Sequence, residues 1–407
     1  MINSLLWFAI LSAVFIACIL GISLIRSRFY KKYSPISHFS VAVIIPCKGN
    51  DDPHFENNLL KIIQQAYDGS AYFVLCAESE SDAATPILRR LAERITNARV
   101  CIAGLATRAS QKAWNVLHGM MSAADNVDIF VIADADIQPH ARWLQEMLGP
   151  FSDARIGAAT GFFRRVPTRK TFQLGDYVAG LFGAFMGLSV AHDAVKGLWG
   201  GSLAIRKEVV EQCHIYELLA TEMVDDITIM HALHAHGVER RFVPGCISKS
   251  YCDMSVSDSI RWLVRQMQFI QVYFKGLYAF LYLITVPLSF SAVIAPLLFL
   301  HGVVNVNGAQ IITVMLFMII VLMISLELRF GVRTNPETVL PGDCEYQMHW
   351  WLLATPLAFI CASIALFNTL RLVKGGVLTM RWRGVEYRVD VKTGKVLEVI
   401  RADEPAV

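Results

Sequence analysis

No two of the nine cysteines stand in a Cys-x-x-Cys pair, and their number is odd. A disulfide framework and a cysteine zinc site are therefore not what organises this chain. Cys47 and Cys76 lie in apolar, strand-like runs and read as small buried hydrophobes, which fits a reducing cytoplasmic compartment. No Gly-x-Gly-x-x-Gly turn follows any strand candidate, so dinucleotide binding is disfavoured. Charge is scarce as well: 17% of residues are charged and the net charge is only +3. No basic stripe interleaved with aromatics runs through the soluble part, so no nucleic acid partner is expected. Internal repeats and low-complexity segments are also missing.

What the chain has in excess is apolar character. With 407 residues, 55% of them hydrophobic, and a mean hydropathy of +0.45, it is too apolar for an ordinary soluble enzyme. The apolar runs cluster at the two ends. Leu5 to Ile25 is long enough to cross a bilayer and is followed by Arg26, Arg28, Lys31 and Lys32. That basic flank predicts a cytoplasmic location for the domain C-terminal to it. A cleaved signal peptide fits less well, because no basic residue precedes the run and the apolar core is too long. Further apolar segments lie near Leu277 to Val303, Ala309 to Leu328 and Trp350 to Leu370. Crossings by all of these would carry the tail outside. Yet the tail holds Arg371, Lys374, Arg381, Arg383, Arg388, Lys392 and Lys395, which favour the cytoplasm. One segment is therefore expected to be re-entrant, interfacial or a tight hairpin. The candidates are Leu277 to Val303, with Pro287 and Pro296, and Trp350 to Leu370, with Pro356.

Between the apolar ends, from about Val41 to Tyr251, short β-branched runs alternate with stretches of helical spacing. This predicts an α/β domain with a largely parallel sheet. Strands are expected at Val41 to Ile45, Tyr72 to Cys76, Ala98 to Ile102 and Ile129 to Ala133, and helices at Asn58 to Gln65, Ala83 to Ile95 and Lys112 to Ala123. The strand ends then converge on one edge and present Pro46 and Lys48, Glu78, the loop leading to Lys112, and Asp134 with Asp136. The run Ile129-Phe130-Val131-Ile132-Ala133 ending in Asp134-Ala135-Asp136 is the most informative stretch. If strand alternation continues, both carboxylates face one way, one towards a ligand and the other towards a cation bridging its phosphates. Two acids before a helix also serve as ordinary caps, and the dipeptide alone does not separate these readings.

The order of motifs does separate them. Val43-Ile44-Ile45-Pro46, Glu78 after a strand, Gln111-Lys112 before a helix, Asp134-Ala135-Asp136, Gly200-Gly201-Ser202, Val224-Asp225-Asp226-Ile227 and Arg261-Trp262 succeed one another along the chain. The set resembles the membrane-bound family 2 and family 21 glycosyltransferases of GT-A fold, and most closely the ceramide glucosyltransferases and their bacterial relatives. The segment Met380 to Val389 resembles the Trp-Arg and Tyr-Arg element that closes that family. The resemblance covers nearly the whole chain. It implies a Rossmann-like, mixed and mostly parallel sheet carrying the catalytic site, with transmembrane helices at both ends.

It also implies roles. Asp226 would be the catalytic carboxylate of an inverting transfer, taking the acceptor proton, and Asp136 the ligand of Mg²⁺ or Mn²⁺. Pro46, Glu78, Lys112, Asp134, Gly201 and Arg261 would bind the nucleotide sugar, with Glu78 facing uridine. Asp225 and Trp262 would meet the acceptor. The chain departs from the family pattern at Glu78, commonly Asp, at Asp225, commonly Glu, and at Asp258, where the Gln-x-x-Arg-Trp motif begins with Gln or Arg. Taken alone, Asp225 and Asp226 read as helix caps, Lys112 as a first-turn lysine, Gly200-Gly201 as a tight turn, and Arg261 and Trp262 as headgroup anchors on an amphipathic helix. His231, His234 and His236 lack a carboxylate or cysteine partner, so zinc is disfavoured. His192 and Asp193 lie near the expected substrate region without an assigned role.

The resulting expectation is a multi-pass membrane enzyme. A transmembrane anchor occupies residues 1–26, a cytoplasmic GT-A domain 27–256, an amphipathic interface helix 257–276, membrane segments 277–370, and a basic cytoplasmic tail 371–407. The reaction would move a hexose, from UDP-glucose, onto the hydroxyl of a bilayer lipid such as ceramide. The rivals are a processive polysaccharide synthase of the same superfamily, which the small number of apolar segments disfavours, and a membrane receptor or scaffold that only binds nucleotide.

Overall fold

The computed structural model describes residues 2–27, 33–123, 125, 127–169, 172–192, 195–333 and 348–401. Arg28, Lys31 and Lys32 of the basic flank, and Asp193, lie outside the described residues. In chain order the elements begin with α1 (Ile2–Ser27), β1 (Val41–Pro46), α2 (Phe55–Ile63), β2 (Ala71–Ala77), α3 (Thr85–Arg94), β3 (Ala98–Ile102), α4 (Gln111–Ser122), β4 (Ile129–Ala133) and α5 (Trp143–Leu148). Next come β5 (Ile156–Val166), α6 (Leu174–Ala191), β6 (Ser202–Arg206), α7 (Lys207–Gln212), α8 (Ile215–Leu219), α9 (Asp225–Ala235) and β7 (Glu239–Tyr251). The chain continues through α10 (Val256–Tyr273), α11 (Lys275–Val304), α12 (Gly308–Arg333) and α13 (Met348–Arg371) to β8 (Val373–Lys374), β9 (Val377–Trp382), β10 (Val385–Asp390) and β11 (Val396–Arg401).

Two compact units result. One gathers Lys31–Arg164, Val190–Tyr251 and Val373–Val407; the other gathers Met1–Tyr30, Arg165–Ser189 and Cys252–Leu372. Two features depart most from the expected bounds: Arg165–Ser189 groups with the helices, and the basic tail joins the sheet unit as folded structure.

The first unit is built on a seven-stranded sheet of order β3-β2-β1-β4-β6-β5-β7. β1 pairs in parallel with β2 and β4, β2 in parallel with β3, and β6 antiparallel with β4 and β5. The central strands are apolar on both faces because both faces are covered. Val41, Val43, Ile45, Ile129 and Val131 pack with Leu59, Ile62, Leu88 and Trp143 on one side. Ala42, Ile44, Phe130 and Ile132 pack with Val116, Met120, Ile229 and Leu233 on the other. The mixed, mostly parallel α/β architecture with its reversal at β4/β6 is the GT-A arrangement.

Residues 373–401 form a second, antiparallel sheet of order β11-β10-β9-β8. Its tight turns are Gly375-Gly376, with φ of 57° and 81°, and Arg383-Gly384, with φ of 48° and 77°. Two successive positive φ values define the hairpin turn whose twist matches the strands, and glycine relieves the steric cost. Leu378, Met380, Val385, Tyr387 and Val389 alternate into the interior, so this tail has a core-facing side.

The second unit is helical. α1 packs on α11 and α12, and α13 packs on α10, α11 and α12. α11 runs unbroken for 30 residues through Pro287 and Pro296, and α13 passes Pro356 without interruption. Ser289 joins α11 to α13 by bonds with the Phe359 carbonyl at 2.7 Å and Ser363 at 2.6 Å. By length and hydropathy, helices over Ser4–Ile22, Leu174–Ala191, Lys275–Val304 and Ala354–Arg371 could cross a membrane, and Gly308–Ile324 is a shorter apolar helix.

Candidate active site

The carboxyl ends of the parallel strands deliver the chemistry. β1 ends in Pro46, β2 leads to Glu78, and β4 ends at Ala133 so that Asp134 is the first residue beyond the sheet. The Asp134 N–H donates to the Gly201 carbonyl at 3.1 Å, tying the strand end to the loop before β6. Ala135 and Asp136 form a turn. Strand alternation thus stops before Asp136: Asp134 is half-buried while Asp136 is exposed.

Lys112 stands in the first turn of α4, which Ser110 caps by accepting the Ala113 N–H at 3.2 Å. The lysine Nζ lies 2.8 Å from Asp134 Oδ1 and 3.2 Å from Asp225 Oδ2. Asp225 opens α9 and is buried, and its Oδ2 meets the ammonium without hydrogen-bond alignment. Asp226 is next along the helix. Its Oδ2 accepts the Gly200 N–H at 2.8 Å and its Oδ1 the Ile227 N–H at 2.7 Å. Strand end, helix start and glycine loop therefore meet within hydrogen-bonding distance, although far apart in sequence.

Electrostatics result from this crowding. Burial, then the neighbouring Asp225 charge, raise the Asp226 pKa to about 6, against the lowering effects of Lys112 and the Gly200 N–H. Burial opposes the Lys112 charge, but Asp134, Asp225 and Asp226 outweigh it and hold the ammonium protonated, with its pKa raised. One cation serves several carboxylates, so the cluster carries excess negative charge.

The glycine pair has a steric reason. A Cβ on Gly201 would come within 2.2 Å of the Trp199 ring and 2.6 Å of Asp134 Oδ2, and one on Gly200 within 2.7 Å of Asp225 Oδ2. The close approach is thus to the carboxylates themselves. Gly201→Ala is expected to cost about 1–3 kcal/mol through overpacking and to displace Asp134 from Lys112. Thermal unfolding and donor KM measured on the same preparation check this, and an unchanged KM would contradict the displacement.

At the neighbouring strand end Lys48 pairs with Glu78 Oε1, while Glu78 Oε2 is buried without a hydrogen-bond partner among the described residues. A strand-end carboxylate with one free oxygen is an acceptor looking for an N–H donor.

Arg261 and Trp262 belong to α10 in the helical unit. Trp262 is buried, with the Arg165 guanidinium 4.8 Å from its ring centre, rather than standing exposed as a headgroup anchor. Arg261 is exposed and pairs with Asp258. Asp258 completes a capping box with Ser255, whose Oγ accepts the Asp258 N–H at 3.1 Å. The departure at Asp258 thus has a local reason: it starts a helix. Nearby, Asp176 accepts the Met254 N–H at 2.8 Å, fastening the start of α6 to the loop before α10. The His231, His234 and His236 group forms no metal-holding cluster, and among the described residues none of three or more such side chains is found.

Sequence reasoning assigned no role to Trp199, which closes on Gly201 and stacks with Phe163 at 4.8 Å, or to the tail residues that reach Gln111. The tail contacts carry no local sequence signal beyond the Tyr-Arg element itself.

A parallel-to-mixed sheet with acids gathered at its carboxyl edge defines a GT-A glycosyltransferase. The chain belongs to glycosyl transferase family 21, whose family model matches residues 5–394. Among solved structures it is similar to the mannosyltransferase PcManGT from Pyrobaculum calidifontis, in complex with GDP-Man and Mn²⁺, at TM-score 0.50 and 17% identity, over 89% of this chain and 99% of that one. No curated protein matches the chain.

Proposed function

We propose that this enzyme transfers glucose from UDP-glucose to the hydroxyl of a membrane lipid, ceramide in the first instance, with inversion at the anomeric carbon. The observation that carries the reading is the meeting of Lys112, Asp134, Asp225 and Asp226 at one sheet edge. Asp226 accepts the proton of the acceptor hydroxyl while that oxygen bonds to the anomeric carbon. The bond from carbon to the diphosphate oxygen breaks, and UDP leaves with the electron pair. With a pKa near 6, Asp226 is ionised at neutral pH yet basic enough for this work. Lys112 offers positive charge to the diphosphate side, and the open Glu78 oxygen suits the imide N–H of uracil.

The donor set fits a hard divalent cation. Asp134 and Asp136 provide carboxylate oxygens only, and Mg²⁺ or Mn²⁺ sites of this class need one or two carboxylates because substrate phosphates complete the shell. Asp136, exposed beyond the strand end, would hold the ion, while Asp134 stays paired with Lys112. When bound, the ion would neutralise charge on the departing diphosphate. The Mn²⁺ and GDP-Man of the Pyrobaculum calidifontis mannosyltransferase support metal use by analogy of fold. The apolar helices support a lipid acceptor, and the basic residues after α1 and in the tail support a cytoplasmic face for the catalytic unit.

The test is a panel of nucleotide sugars, GDP-mannose included, offered to the purified protein in vesicles with ceramide, with diacylglycerol or with neither. A single discrete glycolipid from UDP-glucose and ceramide is expected, abolished by EDTA and restored by Mg²⁺ or Mn²⁺. A ladder of products, or nucleotide binding without any lipid product, would overturn the proposal.

A further inference from the structure

We infer that the C-terminal sheet positions both arms of the active site: Tyr387 and Arg401 act through Gln111 on Lys112, and Lys395 and Val396 act through Thr221 and Glu222 on Asp225 and Asp226. This rests on Lys112 serving as the donor-side cation and Asp226 as the base.

The geometry on the Lys112 arm is complete. Gln111 is the first residue of α4, where a backbone N–H has no partner within the helix. That N–H donates to the Tyr387 hydroxyl at 3.2 Å, from a tyrosine only 1% exposed. The Gln111 side chain is buried and fully used. Its Oε1 accepts from Arg401 Nη2 at 2.8 Å and from the Ala106 N–H at 3.0 Å, and its Nε2 donates to the Gly104 carbonyl at 2.9 Å and to Asn115 Oδ1 at 2.8 Å. Lys112 is the next residue along, so its stem leaves the chain beside a residue that the tail holds both at its backbone N–H and at its side chain.

The other arm is held by the same sheet. The Val396 N–H donates to the Thr221 carbonyl at 2.9 Å, and Lys395 pairs with Glu222 as an antiparallel bridge. Glu222 in turn accepts the N–H of Ser110, the cap of α4, at 3.1 Å. Three residues later the chain reaches Asp225. The tail, the start of α4 and the segment entering α9 are therefore linked to one another by side-chain and backbone contacts, and the Lys112–Asp225 pair joins the same two elements. A misplacement of about 1 Å in such a constellation is enough to cost a large factor in rate.

A double-mutant cycle on the full-length protein, in ceramide vesicles with UDP-glucose and Mn²⁺, tests this. Tyr387→Phe should lower kcat/KM roughly tenfold in the wild-type background and leave it almost unchanged when added to Lys112→Ala, since positions acting through one hydrogen-bond network couple. Arg401→Gln should behave the same way, and Arg401→Lys, which keeps a donor for Gln111, should recover much of the loss. If the losses multiply independently of Lys112, or Tyr387→Phe and Arg401→Gln are silent, the positioning role is wrong while the site stands. If Lys112→Ala itself turns over at the wild-type rate, the reading of the site fails, and this inference with it.

Discussion

The Asp226→Asn variant is expected to lose about 10²–10⁴ in kcat, the range for removal of a general base, while still binding UDP-glucose. Asparagine keeps one oxygen, enough for the Gly200 or the Ile227 N–H but not both, because its amide NH₂ cannot accept the other. It cannot take a proton. In the parent enzyme the base works only when ionised, and burial together with Asp225 has raised its pKa to about 6. The rate should therefore climb with pH through about 6 and level off above it, and this limb should vanish in the variant.

The same shift has a consequence for stability. A carboxyl bound more tightly to its proton in the folded state stabilises the fold fully below the ordinary value of 3.8 and loses that contribution as pH rises through about 6. At neutral pH the charged Asp226 is a burden, bounded by about 3 kcal/mol at 1.36 kcal/mol per unit. The lost acceptor costs Asp226→Asn some stability at every pH, so relative to the parent the variant should fare better at pH 7.5 than at pH 4, by up to that amount. Calorimetric donor binding, a pH–rate profile and melting curves together check the assignment. A variant that melts lower and no longer binds donor would reassign Asp226 to a structural role.

Much of the sheet was legible because apolar, β-branched runs admit few alternatives. Ala98–Ile102 and Ile129–Ala133 are strands to the residue, and β1 and β2 extend the expected runs by one residue or by one at each end. The acids at the strand ends were legible for the same reason, since a buried strand has to deliver polar residues at its exit. The partner of Lys112 was not legible. A lysine before a helix suggests an anion, but only the fold places Asp134 and Asp225 against it. α6 was missed because Leu174–Ala191 carries glycines and Asp176, so its apolar character reads as soluble core. The fold of the tail was hidden by its basic residues, whose exposed alternation masks the buried Met380, Tyr387 and Val389. Distance in sequence limits local reading most: Tyr387 and Gln111 meet only because the chain returns from the helical unit to the unit it left at Tyr251.

Lys112→Ala should be the most disruptive substitution at the site outside the base. It removes the cation that Asp134 and Asp225 share among the described residues and leaves their carboxylates with Asp226. Breaking a buried pair from one side costs about 3–5 kcal/mol, and the lower end applies because both Lys112 and Asp134 keep some contact with solvent. The ammonium's pKa is raised, so its contribution is full below the ordinary 10.5 and is lost only in strong alkali. The deficit should therefore persist across the working range. Towards pH 5 it should narrow, because protonation of Asp226 relieves the repulsion that Lys112 had balanced. Kinetically, Lys112 lowers the Asp226 pKa, so its loss should move the acid limb of the pH–rate profile to higher pH and raise the KM for UDP-glucose. Lys112→Arg, which restores the charge but not the compact ammonium, should recover stability better than rate. An acid limb that stays in place in Lys112→Ala would show that Lys112 and the base do not share one field, and the site would have to be drawn without the lysine.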